Sequence, residues 1–191
     1  MQVAEAEEET FCYGLPGAIA PAGEWDPAGL LRGKSKVEVY RWRESELTHG
    51  RISMLASVGF ITQQWFHPLA DVNLPVLEQV QHLPDALLFA IPTVIGFCET
   101  ARSQRWTGNE VIRTVTNRDD GSYLGARSDE IGWYPGDIDW DPLGLKPADP
   151  TGWRAMQERE LAHSRLAMLA AAGCAAQEAA TGTTWGTAWG A

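Results

Sequence analysis

Residues 46–55 read ELTHGRISML, and residues 160–169 read ELAHSRLAML. Six of these ten positions are identical and a seventh exchanges Ile for Leu, at a constant offset of 114 that carries Glu46 to Glu160, His49 to His163 and Arg51 to Arg165. The offset persists downstream, where Gly59 matches Gly173 and Gln63 matches Gln177. Upstream, Trp25-Asp26-Pro27-Ala28-Gly29-Leu30 returns as Trp140-Asp141-Pro142-Leu143-Gly144-Leu145, with a slip of one residue. Two stretches of the chain are therefore copies, each a WDPxGL loop followed by a helix-forming segment, with an unpaired segment between them. Two related helices imply a pseudo-two-fold axis.

The charges say where those helices lie. The 191 residues carry 15 Lys+Arg against 25 Asp+Glu, a net charge of −10 that argues against a nucleic-acid partner. With 45% hydrophobic and 21% charged residues the chain is not disordered. Cys12, Cys98 and Cys174 stand too far apart for a disulfide framework or a zinc cage. Every Lys and Arg falls within 32–51 or 102–165. Three runs are free of charge: the 19 residues Ile52–Ala70, then Ala86–Cys98 and Leu166–Gln177. Only the first reaches the ~18 residues of a spanning helix, so hydropathy alone leaves open a soluble helical bundle with an acidic tail. Three crossings, however, place both basic blocks on one side of a bilayer, the positive-inside pattern. Tryptophans, nine in all, flank the same runs: Trp42 and Trp65, Trp106, Trp153 and Trp185.

The reading is an all-α membrane protein with a single domain over 1–191 and three transmembrane helices, over 36–65, 82–104 and 151–180, the first and third forming a crossed pseudo-two-fold pair. Pro92 is expected to kink or tilt the middle helix. At ~1.5 Å per residue the outer two reach about 45 Å, longer than a ~30 Å hydrocarbon core, and so tilt or protrude. The acidic start (MQVAEAEEETF) is unlike a transit peptide and reads as the solvated tail of a processed chain. A surface loop is expected over 105–150, and a short amphipathic helix near 71–82 or at the C-terminus.

Helical geometry then sorts the polar residues. His49 and Gln63 share a face about 21 Å apart, as do His163 and Gln177. Ser53 and Ser57 match Ala167 and Ala171, small residues whose four-residue spacing lets two helices cross closely. Glu46, Arg51, Glu160 and Arg165 sit near the hydrocarbon edge, where an unpaired charge is costly. Five residues separate Glu46 from Arg51, too many for a good pair within one helix. The pseudo-symmetry predicts cross pairs instead, Glu46 with Arg165 and Glu160 with Arg51. Glu99 and Arg102 can pair within the middle helix. A carboxylate neutralised by Arg keeps a spare lone pair. That oxygen, an imidazole nitrogen or a Gln amide oxygen can each give one axial bond to a metal held in a macrocycle, and hard oxygen donors suit Mg²⁺. Glu46, His49, Gln63, Glu99, Glu160, His163 and Gln177 are thus single donors, spread out as needed for many separate magnesium chlorins.

These motifs resemble those of the three-helix chlorophyll-binding light-harvesting antenna proteins, from about Gly14 onward: the doubled E-x-x-H-x-R-x-x-M-L, the doubled D-P-x-G-L, and E-x-x-R at Glu99 and Arg102. Tyr134-Pro-Gly-Asp137 and Gln177-Glu178-Ala-Ala-Thr-Gly182 look most like the chlorophyll a/c branch of red-lineage algae. The resemblance implies chlorophyll a, chlorophyll c and fucoxanthin- or peridinin-type carotenoids. It implies Mg ligation by Glu46, His49, Glu99, Glu160, His163 and Gln177, with Gln63 added, and Arg51, Arg165 and Arg102 as ion-pair partners. The two loops, Asp26, Pro27 and Gly29 with Asp141, Pro142 and Gly144, look like seats for the end-groups of two central carotenoids. His163 stands where many relatives have Asn, and Ile91 where some have a Gln ligand. His67 and His82 are extra ligands or plain loop histidines.

The implied function is light capture and excitation transfer to a photosystem, with no bond made or broken and hence no enzyme activity. Implied partners are the photosystem core, neighbouring antenna subunits and thylakoid lipids. The implied location is the plastid thylakoid membrane, N-terminus stromal and C-terminus lumenal. One alternative is a photoprotective relative that quenches excitation. A remote one is a di-iron carboxylate oxidoreductase. The two E-x-x-H helices mimic its ligand set, but a fourth helix with a fourth Glu is missing, and Arg51 and Arg165 would repel the metals.

Overall fold

The first long helix starts at a reciprocal cap. The Ser35 hydroxyl accepts the Glu38 N–H at 3.4 Å, and the Glu38 carboxylate accepts the Ser35 N–H at 3.1 Å. Helix α1, Lys36–Thr62, follows. The computed structural model describes residues 10–64, 66, 74–107, 134–138 and 140–188, with backbone alone at 77, 103–107 and 188. After α1 come α2 (Val76–Gln79), a 3-10 turn at Val80–His82, and α3 (Asp85–Thr107), which runs through Pro92. Helix α4, Pro150–Thr181, has Asp149 as its cap, accepting the Gly152 N–H at 2.6 Å, and a proline at its first position. It stops at Gly182, whose φ of +64° suits the left-handed residue that ends many helices. Helix α5, Trp185–Ala188, completes the described chain. Among the described residues there is no strand.

The three long helices begin and end within three residues of the expected positions. Short helices occur both in the 71–82 region and at the C-terminal end. Three spans were expected, yet among the described residues no helix is long and apolar enough to cross a membrane. The run that opens at Ile52 continues past Thr62 into 65 and 67–70, outside the described residues. Helix α3 ends in Glu99, Arg102 and Arg105, and the first half of α4 holds Arg154, Glu158, Arg159 and Glu160. The acidic tail 1–9, His67 and most of the expected 105–150 loop also lie outside the described residues.

The chain divides into two compact units, Met1–Thr48 with Arg102–Ala162, and His49–Ala101 with His163–Ala191. The division cuts α1 and α4 at matched positions, since His163 is His49 displaced by the repeat offset. In the first unit, Leu15, Val37, Val39, Leu47 and Leu161 are buried. Arg43, also buried, donates to the Pro16 carbonyl and, through Nε at 3.0 Å, to Glu46. In the second unit, Phe60, Ser164, Ala167 and Glu178 are buried. Two polar ties there join matched positions to short helices. Gln64 Oε1 accepts the Gly186 N–H of α5 at 2.9 Å, and Glu178 Oε2 accepts the Val76 N–H of α2 at 2.8 Å. Gln64 and Glu178 are themselves separated by 114 residues.

Candidate functional site

Both WDPxGL loops lie in the first unit and fold alike. Asp26 accepts the N–H groups of Leu30 and Leu31 at 2.9 and 3.0 Å, and Asp141 accepts those of Leu145 and Lys146 at 2.9 Å each. Gly29 and Gly144 take φ of +62° and +64°, left-handed values that a side chain resists. The acceptor role needs ionised carboxylates. The N–H groups of Leu31 and Leu30 hold Asp26 below the ordinary carboxyl value, and those of Lys146 and Leu145 do the same for Asp141. Each turn displays apolar side chains that its own backbone does not cover: Trp25 is 71% and Trp140 76% exposed, and Leu30, Leu143 and Leu145 are exposed too. Pro27 and Pro142 fix the chain direction at the turn and are likewise exposed. The second loop is fastened further by Lys146, which bonds Asp137 at 2.5 Å and lies 4.6 Å over the Trp153 ring.

In the second unit α1 and α4 touch at the repeat-matched pair Gly50 and Ser164. A Cβ on Gly50 would lie 3.0 Å from the Ser164 Cα and inside the contact radius of its Cβ, and Ser164 is fully buried. Nearby, Ser57 Oγ donates to the Ala167 carbonyl at 3.2 Å and to its own helix at Ser53 at 2.8 Å. His49 and His163 each immediately precede this contact, and both are exposed. Both imidazoles beside this contact are therefore reachable from outside.

Of the remaining candidate ligands, Gln177 is the one whose amide group has the most fully described surroundings. Its amide nitrogen donates to Thr181 Oγ1 at 2.9 Å and to the Thr183 carbonyl at 3.4 Å. Its enclosed oxygen Oε1 has no hydrogen-bond partner among the described residues. An orphaned acceptor of this kind costs about 1–3 kcal/mol, a cost that a bond to a hard cation removes. Gln63, its repeat counterpart, lies one residue past the end of α1 and is partly buried. Glu99 lies on α3 and is exposed, while Glu46 and Glu160 are partly buried in the first unit. Arg51 and Arg165 belong to the second unit. His82 is exposed in the short 3-10 turn. Among the described residues no three His, Cys, Asp or Glu side chains gather so as to hold one ion.

Around Glu99 the apolar surface is bare. Every residue from Leu88 to Ala101 is exposed, including Phe89, Val94, Ile95 and Phe97. Beyond the expected residues, the structure adds Arg43 beside Glu46 and Glu44 beside Arg102. Arg102 Nη1 meets Glu44 Oε1 at 3.0 Å and also donates to Thr48. Arg43 was legible as the residue three before Glu46. Gly50 and Ser164 were legible as a matched small pair.

Among the described residues the chain is a helical scaffold with scattered polar candidates and exposed apolar faces. The chain belongs to the chlorophyll a-b binding protein family, whose sequence profile matches residues 11–179. It is 50% identical over 186 residues to the fucoxanthin-chlorophyll a-c binding protein of Isochrysis galbana, covering 97% of this chain and 86% of that one. It is 38% identical to light-harvesting complex stress-related protein 3.2 of Chlamydomonas reinhardtii, over 91% of this chain and 66% of the relative. With a chlorophyll a-b binding protein of Petunia hybrida it shares 29% identity, over 88% of this chain and 62% of the relative.

Proposed function

We propose that this chain is a plastid light-harvesting antenna protein that holds chlorophyll a, chlorophyll c and fucoxanthin-type carotenoids and passes excitation to a photosystem. Bound pigment supplies the light absorption and the transfer; the chain's residues set where each pigment stands and how it is oriented. Glu46, His49, Gln63, Glu99, Glu160, His163 and Gln177 are the proposed Mg ligands. Arg51, Arg165 and Arg102 neutralise and aim the carboxylates, the first two in the cross pairs Glu160–Arg51 and Glu46–Arg165. The loops at Asp26, Pro27 and Gly29 and at Asp141, Pro142 and Gly144 seat carotenoid end-groups against Trp25 and Trp140. The observation that carries this reading is the orphaned Gln177 oxygen, its amide nitrogen fixed by Thr181 and Thr183.

In this reading α1, α3 and α4 cross the thylakoid membrane within a single domain, α1 and α4 as a crossed pair, with the N-terminus stromal and the C-terminus lumenal. A helix sheathed in tetrapyrrole and carotenoid needs few apolar side chains of its own, because the pigments present the apolar surface to lipid. Photosystem cores and neighbouring antenna subunits are the partners. The test is to refold the chain with chlorophylls and carotenoids and excite the carotenoid. Chlorophyll fluorescence with an excitation band from the carotenoid is expected, and a chain that refolds without pigment overturns the reading. Energy dissipation is a second reading, favoured by the identity with stress-related relatives. A fluorescence lifetime several-fold shorter than that of a harvesting antenna selects it.

A further inference from the structure

In the first unit one buried carboxylate does what its repeat counterpart does not. Glu44 is 5% exposed. One oxygen accepts from Arg102 Nη1 at 3.0 Å, and the other accepts the Gly136 N–H at 2.5 Å. Thr48, which also accepts from Arg102, is fixed by its own bond to the Glu44 carbonyl at 2.8 Å. Glu44 thus ties α1 both to the end of α3 and to the segment at Tyr134–Ile138. From Gly136 the chain passes to Asp137, which bonds Lys146, the residue that follows the second WDPxGL loop and whose N–H bonds Asp141. Tyr134, at the start of the segment, packs edge-on against Tyr40 of α1 with ring centroids 6.2 Å apart. The repeat offset carries Glu44 to Glu158, whose one ion pair among the described residues is with Arg154 of its own helix, at 3.3 Å on the surface. The first WDPxGL loop has no such anchor among the bonds around Asp26, which are its own backbone's.

We propose that Glu44 is a positioning residue for the second loop, holding it through the Gly136 N–H so that Asp141 and Trp140 meet the carotenoid end-group. The pigment part rests on the loops being carotenoid seats. A carboxylate suits the task because it accepts two charge-assisted or backbone bonds at once on opposite oxygens. The two bonds separate by substitution. Glu44→Gln keeps an oxygen for Gly136 and loses the charge facing Arg102; Glu44→Leu loses both.

The test uses the refolded pigment complex, with hydrogen exchange over residues 134–146, carotenoid content and melting read together. Expected for Glu44→Leu is exchange about tenfold faster over 134–146, the factor for one lost hydrogen bond to a charged group, with loss of about one carotenoid. Expected for Glu44→Gln is lower melting with exchange and carotenoid kept. Expected for Glu158→Leu is neither effect. Asp141→Asn serves as the separate test of the seat, and it should lose the same carotenoid. Unchanged exchange in Glu44→Leu overturns the proposal. So does carotenoid loss that tracks melting equally in the Gln and Leu variants, the mark of a merely structural role. If Asp141→Asn loses carotenoid and Glu44→Leu does not, the seat stands and Glu44 is wrong. If Asp141→Asn keeps its carotenoid the seat reading falls, and the exchange over 134–146 alone decides whether Glu44 positions the loop.

Discussion

If the proposed ligands hold as read, single side chains decide which pigment stays. His49 is exposed beside the α1–α4 contact. His49→Leu is expected to remove about one chlorophyll per chain and leave the helix content intact by circular dichroism. Unchanged pigment stoichiometry removes His49 from the ligand set. Glu46 is the more demanding case. Losing one partner of a buried charge pair costs about 3–5 kcal/mol when the other is left alone. Arg43, 3.0 Å from Glu46, keeps that carboxylate company whatever happens at Arg165. Arg165→Leu is therefore expected to cost less than that range, and Arg43→Leu with Arg165→Leu to cost more than the two single changes summed. Additive losses in thermal melts would mean that the two arginines do not share Glu46.

Elements show how much the sequence could say. The doubled WDPxGL was legible as two copies of one loop, and the structure gives both the same Asp acceptor and the same left-handed glycine, because these are local bonds spanning four or five residues. The three helical segments were read from charge-free runs and the repeat; the caps at Ser35 and Asp149 and the stop at Gly182 are added by the structure, though each acts within a turn of where it is written. Bonds between distant residues were not legible. Nothing in the sequence near Glu44 announces Gly136, 92 positions away, or joins Glu178 to Val76 across 102. Such pairings depend on how the helices come together, which local pattern does not encode. Membrane crossing was the reverse case: charge asymmetry argued for it, while among the described residues no helix is long and apolar enough to qualify.

The loops also carry a pH dependence whose sign follows from their bonds. Both Asp26 and Asp141 are held below the ordinary value of 3.8 by backbone N–H groups that bind only the ionised form well. The folded value being depressed, the stabilisation is complete above 3.8 and disappears as pH falls through each folded value. Acidification of the pigment complex below about pH 4 should therefore loosen both loops, read as lower protection, relative to the intrinsic amide exchange rate at that pH, at residues 30–31 and 145–146. Asp26→Asn keeps one acceptor oxygen and cannot titrate, so its protection at 30–31 should be lower at neutral pH and independent of pH below it. A loop that loosens on acidification as much in the Asn variant as in the parent would show that other groups are responsible.

At the scale of the whole molecule the claim is that two halves of one chain are interchangeable about an axis, and Gly50 with Ser164 is where that claim is sharpest. The repeat makes these two residues equivalent, and the structure sets them against each other with no room for two side chains. Gly50→Ser alone puts a second hydroxymethyl group into a filled contact, an overpacking cost of about 1–3 kcal/mol. Ser164→Gly alone leaves a gap and adds a helical glycine, at about 1 kcal/mol. The double exchange restores one serine facing one glycine, with only the helix that carries each reversed. If the axis passes between them, the double variant should melt close to the parent, with a coupling of about 1–3 kcal/mol between the two sites. It should also take up its full complement of chlorophyll, since His49 and His163 keep their places beside the contact. A double variant that loses the sum of the single costs would mean that α1 and α4 present different surfaces at their crossing. The resemblance of the two halves would then be one of sequence without symmetry of structure.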